Sequence, residues 1–291
     1  MLVTLVVNPV SGKRHGERIA AQALGRLSAA GHDVVRVHSA DGAQAREAVA
    51  AEVAAGSELV LVVGGDGLLH DVLPVVAGPA VTVGLLPAGT GNDTARSLGI
   101  PVGDADAALD VVLRGRTRDV DLAETDRGPV VTVVASGFDS KVNERANAMT
   151  WPRGNMRYNL AILAELRTFT PLPFHLVLDG TEHETSAMLV AVGNGPSFGG
   201  GLRIAEGAVL DDGLLDVCII RPVSKAKLVR VFPRLYRGTH VDLPEFERHR
   251  VRDVTLACDG IVAYGDGERL GPLPLTVRAR PVALRVLVPT P

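Results

Sequence analysis

The chain has 291 residues, of which 46% are hydrophobic, and its formal net charge is -3 at pH 7. This length allows one large domain or two ordinary domains, each with a full hydrophobic core. A slightly acidic chain has no global positive field, which argues against nucleic-acid binding, and no apolar run reaches the ~20 residues that a membrane-spanning helix needs.

The N-terminus and the cysteines indicate the compartment. Met1 leads directly into a strand pattern, so we find no pattern of a signal peptide. Cys218 and Cys258 both lie inside apolar runs, which predicts buried free thiols rather than a disulfide. Free thiols are typical of a reducing compartment, so we expect a cytoplasmic protein.

The first part of the chain alternates strand and helix patterns. The predicted strands are residues 2–7, 33–38, 58–63 and 81–86. The predicted helices are residues 14–30, 42–55 and 67–77. Because short connections join them in β-α order, we expect a parallel sheet with helices on both faces. This predicts an α/β nucleotide-binding domain at residues 1–122.

Residues 123–282 have a different texture, with short strand patterns separated by turns. One helical stretch interrupts them, at residues 158–169. The pattern predicts a β-rich second domain that forms a sandwich and binds the substrate. The last apolar run, residues 283–289, fits either domain. Whether the segment 283–291 returns to the first domain is therefore left open.

Polar loops with glycines follow the predicted strands of the first domain. They are NPVSGK (8–13), HSAD (38–41), GGDG (64–67) and PAGTGND (87–93). Glycine lets the backbone approach a phosphate closely, and the N–H groups at a helix start then face the anion. These loops do not match the P-loop or the dinucleotide fingerprint, since neither Gly65-x-Gly67 nor Gly89-x-Gly91 completes G-x-G-x-x-G.

The ordered set of loops resembles the diacylglycerol kinase catalytic domain family, which includes bacterial lipid kinases and sphingosine kinases. The second half agrees, because VGNGPSFGGGLRIAEGAVLDDGLLDV (192–217) and GDGERL (265–270) look like later motifs of that family. The resemblance implies a phosphofructokinase-like nucleotide domain followed by a β-rich lipid domain. It also implies an enzyme that uses ATP and Mg²⁺ to phosphorylate a lipid hydroxyl in the cleft between the two domains.

Some residues depart from the bacterial pattern. Leu68, His70 and Asp71 after the GGDG loop look more like the sphingosine kinase version of the motif, whereas residues 89–93 follow the bacterial diacylglycerol kinase version. Glu206 stands where the family often has proline. The lipid, diacylglycerol or a sphingoid-like molecule, is therefore left open.

The resemblance assigns roles to residues of the nucleotide loops. The expected nucleotide-binding residues are Asn8, Ser11, Gly12, Ser39, Gly64, Gly65, Asp66, Gly67, Thr90, Asn92 and Asp93. Asn92 and Asp93 are expected to fix their loop and to start the next helix, because Asp is a favoured helix cap. In bacterial lipid kinases the residue at the position of Glu268 is the catalytic base, and Asp66 would then bind Mg²⁺. In sphingosine kinases the residue at the position of Asp66 is itself the base.

Two further metal roles follow from the resemblance. Asp121 is expected to help hold the catalytic Mg²⁺. A structural Mg²⁺ is expected on the carboxylate of Asp212 and the carbonyls of Val209 and Leu214, since hard cations prefer oxygen ligands. The alternative for the latter is an ordinary Asp-Gly hairpin turn.

Large apolar residues near the predicted helix of the second domain point to lipid. Met149, Trp151 and Met156 follow the place where the family carries a lipid-facing helix, so they are expected to line an acyl channel or to touch a membrane surface. We expect transient contact of the protein with the inner face of the membrane. No nucleic-acid partner is expected, and a homodimer is left open. Two rival functions remain, an NAD kinase and a nucleotide-binding regulator without turnover.

Overall fold

The computed structural model describes residues 1–7, 15–39, 41–151 and 155–290, and it describes the backbone alone at residues 155–159, 163 and 166. The predicted site residues Asn8, Ser11 and Gly12 lie outside the described residues. The side chain of Met156 lies outside them as well.

The first part of the chain is an α/β domain. Its strands are β1 (Leu2–Val7), β2 (Asp33–His38), β3 (Leu59–Gly64) and β4 (Gly78–Pro87). Its helices are α1 (His15–Ala29), α2 (Gly42–Ala54), α3 (Asp66–Val76), α4 (Asp93–Ser97) and α5 (Ala105–Arg114). The strands pair in parallel in the order β2-β1-β3-β4. The predicted α/β architecture is confirmed.

Helices cover both faces of this parallel sheet. Helix α1 packs on α5, and α2 packs on α3. Strand β3 is buried along its whole length, and it is almost entirely Leu and Val. A near-continuous apolar run of this kind is what a parallel strand needs when neither face meets water.

The second part is a β-sandwich. Its strands are β5 (Arg116–Thr125), β6 (Gly128–Val130), β7 (Val133–Gly137), β8 (Leu172–Leu178), β9 (Thr181–Ala187), β10 (Leu189–Gly193), β11 (Leu215–Ile220), β12 (Phe246–Val251), β13 (Asp253–Ala257), β14 (Val262–Gly265), β15 (Glu268–Pro272) and β16 (Leu275–Val288). One sheet has the order β12-β11-β10-β7-β14-β15. The other continues the parallel sheet through β16, β13, β8 and β9. A buried apolar core fills the space between them, which confirms the predicted sandwich.

Strand β16 belongs to both parts of the molecule. Its first half pairs with β13, and its second half pairs in parallel with β4. Strand β5 pairs with β16 over much of its length. The last apolar run of the sequence is thus the second half of β16. The predicted domain boundary after residue 122 falls inside β5 and stays a prediction.

The prediction of a single helix in the second part was wrong. The described residues there form α6 (Phe138–Ala148), α7 (Asn155–Thr168) and α8 (Lys225–Arg237), and a short 3-10 helix follows at Thr239–Asp242. Helix α6 was missed because it is polar on most sides, and α8 because it contains Pro233 and two valines. Within the described ranges, no helix is long and apolar enough to cross a bilayer.

Both cysteines are free and buried, as predicted.

Candidate active site

Two glycine loops meet at the carboxyl edge of the parallel sheet. Strands β3 and β4 are neighbours, and the N–H of Ala88 donates to the carbonyl of Gly64 at 2.8 Å. A Cβ atom built on Gly89 would lie 2.5 Å from the Cα of Gly65. Only glycine at both positions allows this approach, so the GGDG and PAGTGND loops form one continuous surface.

Asp66 connects these loops to the next helix. It is the first residue of α3, and its two carboxylate oxygens accept from the N–H groups of Asp93 and Thr94, each at 3.0 Å. Burial raises the pKa of Asp66 above its ordinary value, because the two hydrogen bonds offset burial only in part. The carboxylate therefore fixes the start of α4 against the start of α3.

Asn92 and Asp93 shape the second loop and join it to the sandwich. Asn92 has a left-handed backbone with φ of 55°, and its side chain both donates to and accepts from the backbone of Gly89. The Asp93 carboxylate accepts from the N–H groups of Gly200 and Gly201, each at 2.7 Å. The glycine-rich loop of the second domain is thus held at the nucleotide loops.

Glu268 reaches the same place from the far end of the chain. It starts β15, after a turn in which Asp266 and Gly267 both have positive φ. A Cβ atom on Gly67 would lie 2.7 Å from Oε1 of Glu268. The structure therefore brings the two candidate bases, Asp66 and Glu268, to the same helix start. Among the described residues, the Glu268 carboxylate forms no hydrogen bond.

A histidine and a further aspartate complete this group, and the sequence reasoning did not assign them. The Asp266 carboxylate accepts from the N–H groups of Val131 and Thr132, both at 2.8 Å. Nδ1 of His70 lies 3.8 Å from Oδ2 of Asp266, an ion-pair separation rather than a hydrogen bond. His70 follows Asp66 by one helical turn, a spacing that places both on one face of α3.

His70 has a raised pKa. Burial lowers the pKa of the ring, but the carboxylates of Asp266, Glu268 and Asp71 together outweigh burial and raise the pKa above its ordinary value. The imidazolium is therefore the form that this group of carboxylates favours.

A narrow crevice lies beside Asp66, with free space for about one water molecule. Residues of both glycine loops line it, including Gly64, Gly65 and Asn92. The hydroxyl of Thr94 is buried at its wall and has no hydrogen-bond partner in the described part of the chain. One ordered water molecule in this space would satisfy the buried hydroxyl.

The predicted metal residues lie in a separate group. The Asp121 carboxylate accepts from the N–H groups of Gly213 at 2.7 Å and Val282 at 2.9 Å. The Asp212 carboxylate accepts from the N–H of Leu214 at 3.1 Å and forms an ion pair with Arg250.

In this arrangement Arg250 pairs with the one carboxylate of the predicted ligand set. The side chain of Val209 is exposed. Between the described residues, no hydrogen bond or ion pair links Asp121 or Asp212 directly to the GGDG loop. Both metal assignments stay predictions.

The remaining predicted nucleotide residues lie at the rim. Thr90 is exposed at the tip of its loop. Ser39 is buried just after β2, and strand β1 separates β2 from β3 in the sheet. The structure thus brings together the loops around residues 65, 89, 200 and 268, and it leaves Ser39 further along the same edge.

Comparison with known proteins agrees with this geometry. Residues 2–125 match the family described as the diacylglycerol kinase catalytic domain. Residues 132–288 match the YegS C-terminal NAD kinase beta sandwich-like domain. A diacylglycerol kinase of Mycobacterium tuberculosis (strain ATCC 25618 / H37Rv) is 45% identical over 293 residues, covering 99% of this chain and 95% of that protein. The chain belongs to the diacylglycerol kinase family.

Two further comparisons agree with membership of this family. A Pseudomonas fluorescens protein with the name "Probable lipid kinase YegS-like" is 33% identical over 266 residues, covering 90% of this chain and 87% of that protein. A crystal structure of a diacylglycerol kinase from Bacillus anthracis superposes with a TM-score of 0.77 at 23% identity, covering 98% of this chain and 96% of that chain. The latter shows a shared fold.

Proposed function

We propose that this lipid kinase transfers the γ-phosphoryl group of ATP to the hydroxyl of a diacylglycerol-like lipid, with Glu268 as the general base. The observation that carries the proposal is the position of Glu268 against Gly67, at the helix start that also holds Asp66. The names of the relatives that cover nearly the whole chain favour diacylglycerol over NAD as the acceptor.

The choice of Glu268 over Asp66 follows from their hydrogen bonds. Both oxygens of Asp66 accept backbone N–H groups, so this carboxylate is committed to holding α4. Glu268 has no such commitment among the described residues, and a free carboxylate beside the phosphate loops is able to take a proton from a lipid hydroxyl.

The glycine loops and the helix starts are suited to hold the phosphates of ATP. The dipole of α3 favours negative charge at this edge of the sheet, whereas the first N–H groups of α4 are already bound by the Asp66 carboxylate. Mg²⁺ bound with ATP would neutralise phosphate charge. Asp66 is the carboxylate that would hold it, since each of its oxygens keeps a second lone pair beside its N–H bond and it pairs with no cation among the described residues.

The lipid is proposed to enter from the side of α6 and α7. The Tyr264 hydroxyl and the Arg269 guanidinium both donate to Glu144 of α6, at 2.7 and 2.9 Å, which holds this helix beside the turn that carries Glu268. Trp151 follows α6 with 76% of its surface exposed. An exposed indole at this position is suited to a membrane interface.

Radiolabelled ATP tests the reaction when it is supplied with diacylglycerol, sphingosine, phosphatidylglycerol and NAD in turn. We expect label on diacylglycerol, and we expect Glu268→Gln to abolish turnover while ATP still binds. Glu182→Gln, an exposed carboxylate on β9, is the control and should be unaffected. Normal turnover by Glu268→Gln with an inactive Asp66→Asn would move the base to Asp66. Label on NAD alone, or ATP binding without turnover, would replace the proposal.

Trp151→Ser tests the membrane contact. We expect lower activity on diacylglycerol in vesicles and unchanged activity in detergent micelles. Val229→Ser, which removes another exposed apolar side chain, on α8, is the matched control. Equal activity of Trp151→Ser and the parent protein on vesicles would exclude this entry side.

A further inference from the structure

Three metal-ligand side chains converge at the open edge of the sandwich, on strands that do not form the kinase site. Strand β9 ends one sheet and carries His183, and β12 ends the other and carries Glu247 and His249. Nε2 of His183 lies 3.4 Å from Oε1 of Glu247, and Nε2 of His249 lies 2.7 Å from the same oxygen. One ligand atom from each residue lies within 4.8 Å of the others.

These side chains occupy positions that the strand register assigns to the core. His183 is paired with Leu176 on β8, while Glu247 and His249 are paired with Ile219 and Val217 on β11. All three partners belong to the apolar core between the sheets. Because paired residues lie on the same face of a sheet, the three polar side chains face each other where apolar residues are usual.

The group has an unfilled hydrogen-bonding capacity. Nε2 of His183 is buried and has no hydrogen-bond partner among the described residues. Arg221 approaches the other oxygen of Glu247, Oε2, at 3.3 Å, which leaves Oε1 to the two histidines. A buried nitrogen without a partner is unfavourable, and a bound cation would satisfy it.

We propose that His183, Glu247 and His249 bind Zn²⁺, with water as the fourth ligand. Two imidazoles and one carboxylate are a zinc ligand set, and zinc bonds of about 2.0–2.2 Å place tetrahedral ligand atoms about 3.4 Å apart. The separation of His183 and Glu247 already has this value. The shorter contact of His249 opens when the ion enters. The metal then ties the edge strands of the two sheets together, independently of phosphoryl transfer.

Metal titration of the full chain tests the proposal after treatment with a chelator. We expect saturable, equimolar binding of Zn²⁺, a tetrahedral absorption spectrum with Co²⁺, and a higher Tm with Zn²⁺. His183→Gln and His249→Gln should each weaken Zn²⁺ binding by more than about 100-fold. A residue that only orients a metal ligand costs less than this when it is lost. The control is His175→Gln on β8, which removes the ring that lies 2.6 Å from Glu184 of β9. This variant should bind Zn²⁺ as tightly as the parent protein.

A test without substitutions covers the case in which these variants fail to fold. Diethyl pyrocarbonate modifies accessible histidines, and mass spectrometry locates the modified rings. We expect Zn²⁺ to protect His249, whose ring is partly exposed, and to leave His175 reactive in the parent protein. Absence of saturable binding, equal weakening by His175→Gln, or equal protection of His249 and His175 would overturn the proposal.

Discussion

Gly89 shows how one missing methyl group shapes the site. Gly89→Ala would place a Cβ atom 2.5 Å from the backbone of Gly65, so the two loops would have to separate. We expect a loss of about 1–3 kcal/mol in the free energy of unfolding. We also expect a fall of about 100-fold in kcat/KM, because small displacements of positioning groups are costly. Urea denaturation and lipid kinase assays measure both.

Gly25→Ala is the matched control for this change. Gly25 lies inside α1, and nothing lies within 4 Å of a Cβ atom built there. Alanine favours the helix over glycine, so we expect about 0.5–1 kcal/mol of added stability and unchanged activity. Equal behaviour of the two variants would show that the contact between the loops has no role.

His70 makes stability depend on pH. Its pKa is raised in the folded protein, so folding favours the protonated ring. This contribution is fully present below the ordinary histidine pKa of about 6.5 and is lost as pH rises through the folded value. We therefore expect His70→Gln to lower Tm most near pH ~5.5 and least near pH ~9.

The pH dependence of the Tm difference is the decisive measurement for His70, because loss of packing alone would lower Tm equally at both pH values. His32→Gln, in the connection from α1 to β2, controls for the loss of a histidine as such. A Tm difference that grows with pH would contradict the assignment.

At the scale of elements, Asp93 joins a helix of the first domain to a loop of the second. Asp93→Asn keeps one acceptor oxygen but turns an amide donor toward one of the N–H groups of Gly200 and Gly201. We expect a loss of about 1–3 kcal/mol and faster hydrogen exchange at these two amides. The control is Asp104→Asn, where the side chain accepts a single N–H as the cap of α5.

Asparagine is as good a helix cap as aspartate, so Asp104→Asn should be nearly neutral. Slow exchange at Gly200 and Gly201 in the Asp93→Asn protein would show that another contact holds the loop.

At the scale of the whole molecule, β16 runs through both domains, so we expect them to unfold as one cooperative unit. Val277 packs in the core of the sandwich, and Val286 packs in the core of the α/β domain, on the same strand. We expect Val277→Ala and Val286→Ala each to cost about 2 kcal/mol and to lower one shared transition. Calorimetry should give equal calorimetric and van't Hoff enthalpies. Two resolved transitions, with each variant shifting only one, would disprove this coupling.

The amino-acid sequence determined the alternating α/β domain and the family motifs. Residues 2–7 and 33–38 were predicted as strands with the bounds that the structure has, because short runs rich in Val and Leu carry a strand signal locally. The same local reasoning missed α6 and α8. Helix α6 has few apolar positions, and Pro233 interrupts the helical pattern of α8, although the apolar residues of α8 lie on one face.

The family motifs predicted that Asp66 and Glu268 serve one site, but only the tertiary structure decided which atoms meet there. No local pattern near Gly67 predicts contact with Glu268, and nothing near Asp93 predicts the loop at Gly200. The cluster of His183 with Glu247 and His249 likewise depends on how the two sheets pack, because it joins their edge strands β9 and β12. Periodicity records which face of an element is buried, whereas the pairing of remote strands depends on the packing of the whole chain, which no local pattern contains.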